Sequence, residues 1–127
     1  MQLTLIDNLP FSIITVTYKG VTAIIDKILV DTGSATTILA VDVVAALNII
    51  PEPQDTLHLI RGVGGTEVVF RRRLDALKLG EHGINDIEVE IGGMDYGFTI
   101  NGILGMDFMI RTGVIINLKT MSIELAI

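Results

Sequence analysis

The sequence of 127 residues contains no cysteine and no tryptophan, and it has only two histidines. Without cysteine the chain has no disulfide and no thiolate nucleophile, which fits a cytoplasmic protein. With only His58 and His82 present, no histidine-rich metal site is expected. A net charge of −6 and few aromatic residues predict that the chain does not bind nucleic acid.

Long apolar runs are also missing, although half of the residues are hydrophobic and the mean hydropathy is +0.61. A membrane-spanning helix needs roughly 18 consecutive apolar residues, and no run in this sequence is that long. We therefore predict no membrane segment, and we assign the excess of apolar residues to a surface that is buried against a partner. The length fits one domain over residues 1–127 with a core of its own.

Most of the chain has the pattern of β-strands. Ile87, Val89 and Ile91 alternate with Glu88 and Glu90, which is the period of a strand with one buried face. Further strands are predicted at 2–6, 11–18, 22–30 and 121–127, with a bulge at Ile13-Ile14 in the second of them. The basic run Arg71-Arg72-Arg73 alternates across another strand, and we interpret it as solvated rather than as a phosphate or substrate patch.

Two short segments have helical signals. Asp42 is placed to cap a helix over residues 43–47, which would end before Pro51. A second helix is predicted over 106–112, with Arg111 in its last turn and Gly113 as its left-handed stop. Short strands and frequent glycine turns predict a mainly β fold, closed and barrel-like, with one or two short helices.

A weak internal repeat places two glycine turns in similar surroundings. Residues 28–33, Ile-Leu-Val-Asp-Thr-Gly, form an apolar strand that runs into a tight turn. Residues 100–105, Ile-Asn-Gly-Ile-Leu-Gly, have the same outline, and we predict that a helix follows each copy. A pseudo-twofold axis within the chain would relate the two copies.

The first turn holds the candidate functional residue, Asp31. A carboxylate at the end of an apolar strand is partly desolvated, so it requires hydrogen-bond donors around it. Thr32 and Ser34 offer hydroxyl groups, and Gly33 permits the sharp turn that brings a backbone amide close. The alternative is an Asx-turn that simply ends the strand.

Three motifs together resemble the retropepsin-like aspartic proteases. They are Leu29-Val30-Asp31-Thr32-Gly33-Ser34, Gly62-Val63-Gly64-Gly65 and Ile103-Leu104-Gly105-Met106-Asp107-Phe108. Their order and spacing cover the chain from about Phe11 to the C-terminus, and the third motif is closer to cellular and bacterial members than to retroviral ones.

The resemblance implies a role for each motif. Asp31 would be the catalytic carboxylate, Thr32 would link two subunits through its hydroxyl group, and Gly33 would hydrogen-bond the carboxylate through its amide, with Ser34 as further support. The glycines of the second motif, Gly62, Gly64 and Gly65, would form with Val63 the tip of a hairpin flap over the substrate. Ile103, Leu104 and Gly105 would be an apolar loop that braces the Asp31 turn. Enzymes of this family use no metal and no organic cofactor.

The chemistry of this family also requires a second carboxylate. Aspartic proteolysis uses two carboxyl groups that share one proton, and this sequence has a single Asp-Thr-Gly. A homodimer would supply the pair by bringing two copies of Asp31 together. The sequence therefore predicts a homodimeric aspartic endopeptidase that acts on peptides or proteins, in a cleft with mainly apolar walls.

Two other functions stay open at this point. One is a non-catalytic dimerisation or peptide-binding module with the same fold. The other is phosphoryl transfer through an aspartyl nucleophile, which would require Mg²⁺ and further acidic ligands near Asp31. Position 33 is glycine rather than a second acid, and the chain lacks an evident βαβ series.

The motifs depart from the retroviral pattern at two positions. Retroviral members often carry an Asp two residues after the glycine of the catalytic triplet, and an Arg after the second glycine turn that pairs with it. Here Ala35 and Met106 stand at those positions, so both partners are missing together. In many retroviral members the chain ends of two subunits interleave in one sheet; for residues 2–6 and 122–127, pairing within the subunit is the open alternative.

Overall fold

The structure is a computed structural model that describes residues 1–62, 65–94 and 99–125. Strands dominate this part of the chain, as the alternating pattern predicts. They are β1 (Thr4–Ile6), β2 (Leu9–Tyr18), β3 (Val21–Val30), β4 (Ile38–Ala40), β5 (Leu57–Gly62), β6 (Gly65–Leu79), β7 (His82–Gly92), β8 (Gly102–Leu104), β9 (Val114–Asn117) and β10 (Ser122–Leu125). The helices are α1 (Val41–Val44), which continues into a 3₁₀ turn (Ala45–Leu47), and α2 (Met106–Thr112).

Eight strands form one sheet that closes on itself. Their order is β1-β2-β3-β8-β4-β7-β6-β5, and β2 also pairs with β6, so six strands make a closed ring. β3 and β8 are parallel, as are β4 and β7, while β4 and β8 are antiparallel. This arrangement agrees with the predicted mainly β, barrel-like fold.

A second, two-stranded sheet joins the ends of the described chain. β9 and β10 pair antiparallel, and a bridge between Gln2 and Ser122 attaches the first residues to β10. The Leu3 amide donates to the Met121 carbonyl oxygen at 2.7 Å, which continues this pairing. Within this single chain, residues 2 and 3 thus pair with 121 and 122, while residues 126–127 of the predicted last strand lie outside the described residues.

Turn and bulge residues lie where the sequence pattern changes. Lys19 and Gly20 have φ values of 48° and 80° and connect β2 to β3. The β2–β3 register shifts between Ser12 and Ile14, so the predicted bulge is present and the Ile13 side chain is exposed. An extra residue in one strand turns its side chain away from the buried face.

One of the two helices agrees with its prediction and the other does not. α2 has the predicted bounds, and Gly113 ends it with φ 65°. α1 begins two residues earlier than predicted, with Ala40 at its N-cap, so Asp42 lies in the first turn and caps nothing. The repeat is also imperfect, because β4 comes between the first glycine turn and α1. No helix in the described residues is long and apolar enough to cross a membrane.

Apolar side chains form two clusters on opposite faces of the sheet. The main core lies inside the ring and includes Ile14, Val16, Ile28, Val30, Leu39, Leu74, Val89, Ile91, Leu104 and Phe108. The second cluster lies on the other face and consists of Phe11, Ile38, Ile100 and Ile103, with Leu9, Leu29 and Met94 partly buried against it. Alternate residues of β3, β4 and β8 therefore divide between the two clusters.

Arg72, whose side chain is 10% exposed, connects the segment before β5 to the sheet. Arg72 lies 2.7 Å from Asp55 and 3.3 Å from Glu52, and it also donates to the Tyr18 hydroxyl and the Ile50 carbonyl oxygen. Burial alone would lower the pKa of Arg72, but the hydrogen bond with Tyr18 and the charges of Asp55 and Glu52 outweigh it and raise the pKa. The interpretation of the arginine run as solvated is therefore wrong for Arg72.

We expect Arg72→Ala to lower the free energy of unfolding by about 2–3 kcal/mol, because it leaves two carboxylates without their cation. Arg73→Ala is the matched control in the next position of β6. The Arg73 side chain is 59% exposed and pairs with Asp86 at 3.0 Å, so its loss should cost less than about 0.5 kcal/mol. Urea denaturation measures both, and equal costs would contradict the role given to Arg72.

Candidate active site

Asp31 lies at the end of β3 on the face of the second cluster. Ile28 and Val30 point into the main core, whereas Leu29 packs against the second cluster on the opposite face. The Asp31 amide donates to the Leu104 carbonyl oxygen at 3.1 Å, which extends the β3–β8 pairing by one residue. Because side chains alternate along a strand, Asp31 follows Leu29 onto the same face, where it is half-buried.

The turn after Asp31 supplies one of the expected donors to its carboxylate. The Gly33 amide donates to Asp31 Oδ1 at 2.8 Å, and the Ser34 amide donates to the Asp31 carbonyl oxygen at 3.2 Å. The Ser34 hydroxyl instead donates to the Thr36 carbonyl oxygen at 2.7 Å. The Thr32 side chain is exposed. Of the three expected donors, Gly33 alone contacts the carboxylate within the described chain.

The third motif lies directly beside this turn. Gly102–Leu104 form a strand, β8, rather than the loop that the resemblance implies, and Ile103 pairs with Leu29. A Cβ atom on Gly105 would overlap the Thr36 carbonyl group and lie 3.0 Å from the Ser34 carbonyl oxygen. Position 105 therefore requires glycine for a steric reason, since the backbone of the Asp31 turn passes against it.

The first residues of α2 hold the same turn through their backbone. The Met106 amide donates to the Ser34 carbonyl oxygen at 2.8 Å, and the Asp107 amide donates to the Ala35 carbonyl oxygen at 3.2 Å. These are the neighbourhoods where retroviral relatives are expected to place an ion pair. Here backbone hydrogen bonds connect the two segments instead.

Thr37 and Asp107 make a second connection that the sequence analysis missed. The Thr37 hydroxyl donates to Asp107 Oδ1 at 2.7 Å, and the Thr37 amide donates to Oδ2 at 3.0 Å. The same hydroxyl accepts the Gly105 amide at 3.1 Å, and Thr37 is fully buried. Asp107 lies in the first turn of α2, where an acidic side chain is favourable, but that position does not predict a side-chain partner. Its partner is 70 residues away in the sequence, and no local pattern reports such a pair.

We expect Thr37→Val to lower the free energy of unfolding by about 2–3 kcal/mol, because the isosteric side chain removes the hydroxyl that donates to Asp107 Oδ1 and leaves the buried Gly105 amide without its acceptor. Thr36→Val is the control, since the Thr36 hydroxyl makes no hydrogen bond in the described residues. It should cost less than about 0.5 kcal/mol. Thermal and urea unfolding of both variants test this; similar losses would contradict the role of the Thr37 hydroxyl.

The candidate flap is described only in part. β5 and β6 pair antiparallel up to Gly62 and Gly65. The backbone of these two glycines therefore lies at the end of a hairpin, as the second motif predicts. The expected tip residues Val63 and Gly64 lie outside the described residues.

An apolar surface surrounds Thr32 on the side formed by α2 and β9. An open cavity of about 230 Å³ is lined by Thr32, Met106, Met109, Ile110, Val114 and Ile116. Ile110 is 69% exposed, and Ile115 and Leu118 nearby in the chain are also exposed.

In residues 1–62, 65–94 and 99–125, no group of three or more histidine or acidic side chains lies close enough together to hold a metal ion.

Comparison with known proteins identifies the family of this chain. The aspartyl protease family model matches residues 14–108, which include Asp31 and all of β8. The chain belongs to the aspartyl protease family. This confirms the predicted retropepsin-like resemblance and the expected protease class.

A solved structure supports the fold independently. The crystal structure of a retropepsin-like aspartic protease from Rickettsia conorii superposes with a TM-score of 0.63 at 19% sequence identity. The alignment covers 90% of this chain and 88% of that chain. At this identity the likeness shows a shared fold. No curated protein matches the sequence.

Proposed function

We propose that the protein is an aspartic endopeptidase that hydrolyses peptide bonds at a pair of Asp31 carboxyl groups, one from each chain of a homodimer. The observation that carries the proposal is the Asp31 turn: a half-buried carboxylate on an apolar face, with Gly33 donating to Oδ1. No described residue donates a hydrogen bond to Oδ2. That oxygen is therefore available to a water molecule or to a second carboxyl group.

The proposed reaction uses two carboxyl groups that share one proton. The ionised carboxylate accepts a proton from a water molecule as the water oxygen attacks the carbonyl carbon of the peptide bond. The protonated carboxyl group donates to the carbonyl oxygen, which yields a tetrahedral diol. When the C–N bond breaks, a proton passes to the leaving nitrogen. The products are a peptide with a new amino terminus and a peptide with a new terminal carboxyl group.

Three features of the structure support a dimer about the Asp31 turn. Thr32, next to Asp31, exposes a side chain whose hydroxyl has no partner in the described residues. The apolar surface of α2 and β9 continues from it. β9 pairs with β10 along one edge, and no described strand pairs with its other edge. A twofold axis at this surface would bring the two turns together.

The dimer is tested by Ile110→Asp. Ile110 is exposed in the single chain, so the substitution should leave the fold intact while placing a desolvated charge in the proposed interface. We expect the dimer to dissociate and cleavage of a peptide library to fall at least about tenfold at the same chain concentration. Analytical ultracentrifugation and the library assay measure the two effects.

Ile24→Asp is the matched control. Ile24 is 76% exposed in β3 and is not part of the apolar surface around Thr32. It should change neither association nor cleavage. If the Ile110 variant is monomeric and cleaves as fast per chain as the wild type, the homodimeric site is wrong.

The β5–β6 hairpin is the proposed flap over this site. Glycine at both Gly62 and Gly65 leaves the hairpin end free to change its backbone angles, and closure over a bound peptide would exclude water from the reaction. The alternative function, a peptide-binding module without catalysis, shares the cleft but needs no ionised Asp31.

A further inference from the structure

Strand pairing places a row of side chains on the face that carries Asp31. In a paired sheet, directly opposed residues share a face. The register pairs Leu29 of β3 with Ile103, Ile103 with Ile38, and Ile38 with Glu90. Leu29, Ile103 and Ile38 all belong to the second cluster. Glu90 is therefore the fourth member of a row that begins beside Asp31.

The alternation along β7 agrees with this assignment. Val89 and Ile91 lie in the main core, so Glu90 between them points to the opposite face, toward the second cluster. Three strand spacings of about 4.8 Å separate β3 from β7, which puts Glu90 roughly 15 Å from Asp31 across the sheet. An extended peptide covers that distance in four or five residues at about 3.3 Å per residue.

Glu90 is an unusual residue at such a position because one oxygen of its buried carboxylate has no hydrogen-bond partner among the described residues. Glu90 is 4% exposed, and within residues 1–62, 65–94 and 99–125 nothing donates a hydrogen bond to its Oε2. The alternating sequence predicts that Glu90 faces solvent, and this prediction is wrong. A buried carboxylate without a donor is costly, and such a group in a folded protein calls for a ligand or a functional reason.

Arg71 is the nearest cation by register, and it does not satisfy Glu90. The two residues are directly opposed in the β6–β7 pair. The Arg71 side chain is nevertheless exposed, and it forms no ion pair with Glu90 within 4.0 Å. His58 lies on the same face one step further along the hairpin, opposite Val69. Oε2 of Glu90 therefore has no partner in the described residues, and a cation from outside the chain would supply one.

We propose that Glu90 is a specificity-determining residue of the cleft, which selects peptides with a lysine or arginine side chain within about five residues of the scissile bond. The inference rests on the proposed endopeptidase function. The aliphatic stem of the substrate side chain would pack on Ile38 and Ile103 of the second cluster, and its cationic end would reach the Glu90 carboxylate. In a homodimer each chain contributes one Glu90, so a cation is selected on both sides of the bond.

The test compares kcat/KM for peptides that carry lysine or norleucine at each of five positions on either side of the scissile bond. For the wild type, lysine should be preferred at least about tenfold at one position or more, because a buried carboxylate discriminates strongly against a side chain that leaves it unpaired. Glu90→Gln should reduce that preference at least about fivefold, and Glu90→Leu should reverse it in favour of norleucine.

Glu88→Gln is the matched control, since Glu88 is two residues away on the same face of β7 but is exposed beside Arg73. It should leave the lysine preference unchanged. Equal preferences in wild type, Glu90→Gln and Glu88→Gln, with cleavage intact, would overturn the role of Glu90 and leave the proposed function standing.

A binding measurement separates failure of this inference from failure of the proposed function. The same peptides are titrated against Asp31→Asn and against Asp31→Asn combined with Glu90→Gln. If the wild type cleaves nothing but lysine peptides bind in a Glu90-dependent way, the endopeptidase proposal fails and Glu90 keeps its role. If no peptide is cleaved or bound, both proposals are overturned.

Thermal unfolding distinguishes a substrate contact from a structural ion pair. If Glu90 Oε2 is unpaired until a substrate binds, Glu90→Leu should raise the Tm of the free protein by a few degrees, because the substitution removes an unpaired buried charge. If Arg71 turned inward to pair with Glu90 in solution, Glu90→Leu and Arg71→Ala would both lower Tm, and this result would count against the proposal.

Discussion

Asp31→Asn should reduce cleavage of the best library peptide by about 10³-fold or more, because an amide can neither accept a proton from water nor share one with a second carboxyl group. The fold should survive, since the asparagine Oδ1 can still accept the Gly33 amide that contacts Asp31 Oδ1 at 2.8 Å. Initial rates of cleavage by wild type and Asp31→Asn measure the loss of activity, and unfolding curves of the two proteins show whether the fold survives.

Asp42→Asn is the control for the loss of one carboxylate. Asp42 is exposed in the first turn of α1, and its side chain takes part in no hydrogen bond of the described residues. It should keep full activity. An Asp31→Asn variant that cleaves as fast as Asp42→Asn would refute catalysis by Asp31. If wild type cleaves no peptide, and wild type and Asp31→Asn bind the same peptides equally well, the binding-module alternative is favoured.

Mixing wild type with Asp31→Asn tests whether one site needs two chains. If each site uses one Asp31 from each chain, mixed dimers are inactive, and an equal mixture with random exchange keeps about half of the activity per wild-type chain. An excess of the variant should suppress activity further. Unchanged activity at every ratio would show that a single chain supplies the whole catalytic group.

Gly105→Ala is expected to cause the largest loss of stability, about 3 kcal/mol or more. The added Cβ would overlap the Thr36 carbonyl group, so the backbone of the Asp31 turn has to move. That movement would break two hydrogen bonds, one from the Met106 amide to the Ser34 carbonyl oxygen and one from the Gly105 amide to the Thr37 hydroxyl. Urea denaturation measures the stability, and cleavage by the remaining folded protein should fall with it.

Gly113→Ala separates steric overlap from the general cost of replacing a glycine. Gly113 has φ 65°, and a Cβ there would meet nothing within 4 Å. Its substitution should cost only about 1–2 kcal/mol, from the left-handed backbone, and should leave kcat/KM for peptide cleavage unchanged. If Gly105→Ala costs no more than Gly113→Ala, the close approach of β8 to the Asp31 turn is not a constraint on the fold.

Both large effects originate in the same short segment, residues 31–37. Its conformation is held by the amides of Gly33, Met106 and Asp107 and by the Thr37 hydroxyl. The proposed homodimer requires a rigid turn at Asp31, because small displacements of the two carboxyl groups would lower the efficiency of proton transfer. The Thr37–Asp107 pair supplies this rigidity without the ion pair expected in retroviral relatives.

The sequence by itself determined most of the long strands, the second helix and the candidate catalytic residue, whereas the short strands β4 and β9 were not predicted. Period-two alternation in β7 and the glycine stop at Gly113 are local signals, and both were confirmed. Asp31-Thr32-Gly33 was recognisable because turn chemistry depends on adjacent residues. The mainly β fold followed from the density of such strands and turns.

Only the tertiary structure decided which polar side chains are buried and what they contact. Alternation separates the two faces of β7 but does not tell whether a second layer covers the outer one, so Glu90 was expected in solvent and is buried. Arg72 and Thr37 find their partners 17 and 70 residues away. Such contacts depend on the closed ring of strands, which brings distant segments together, and no local period contains that information.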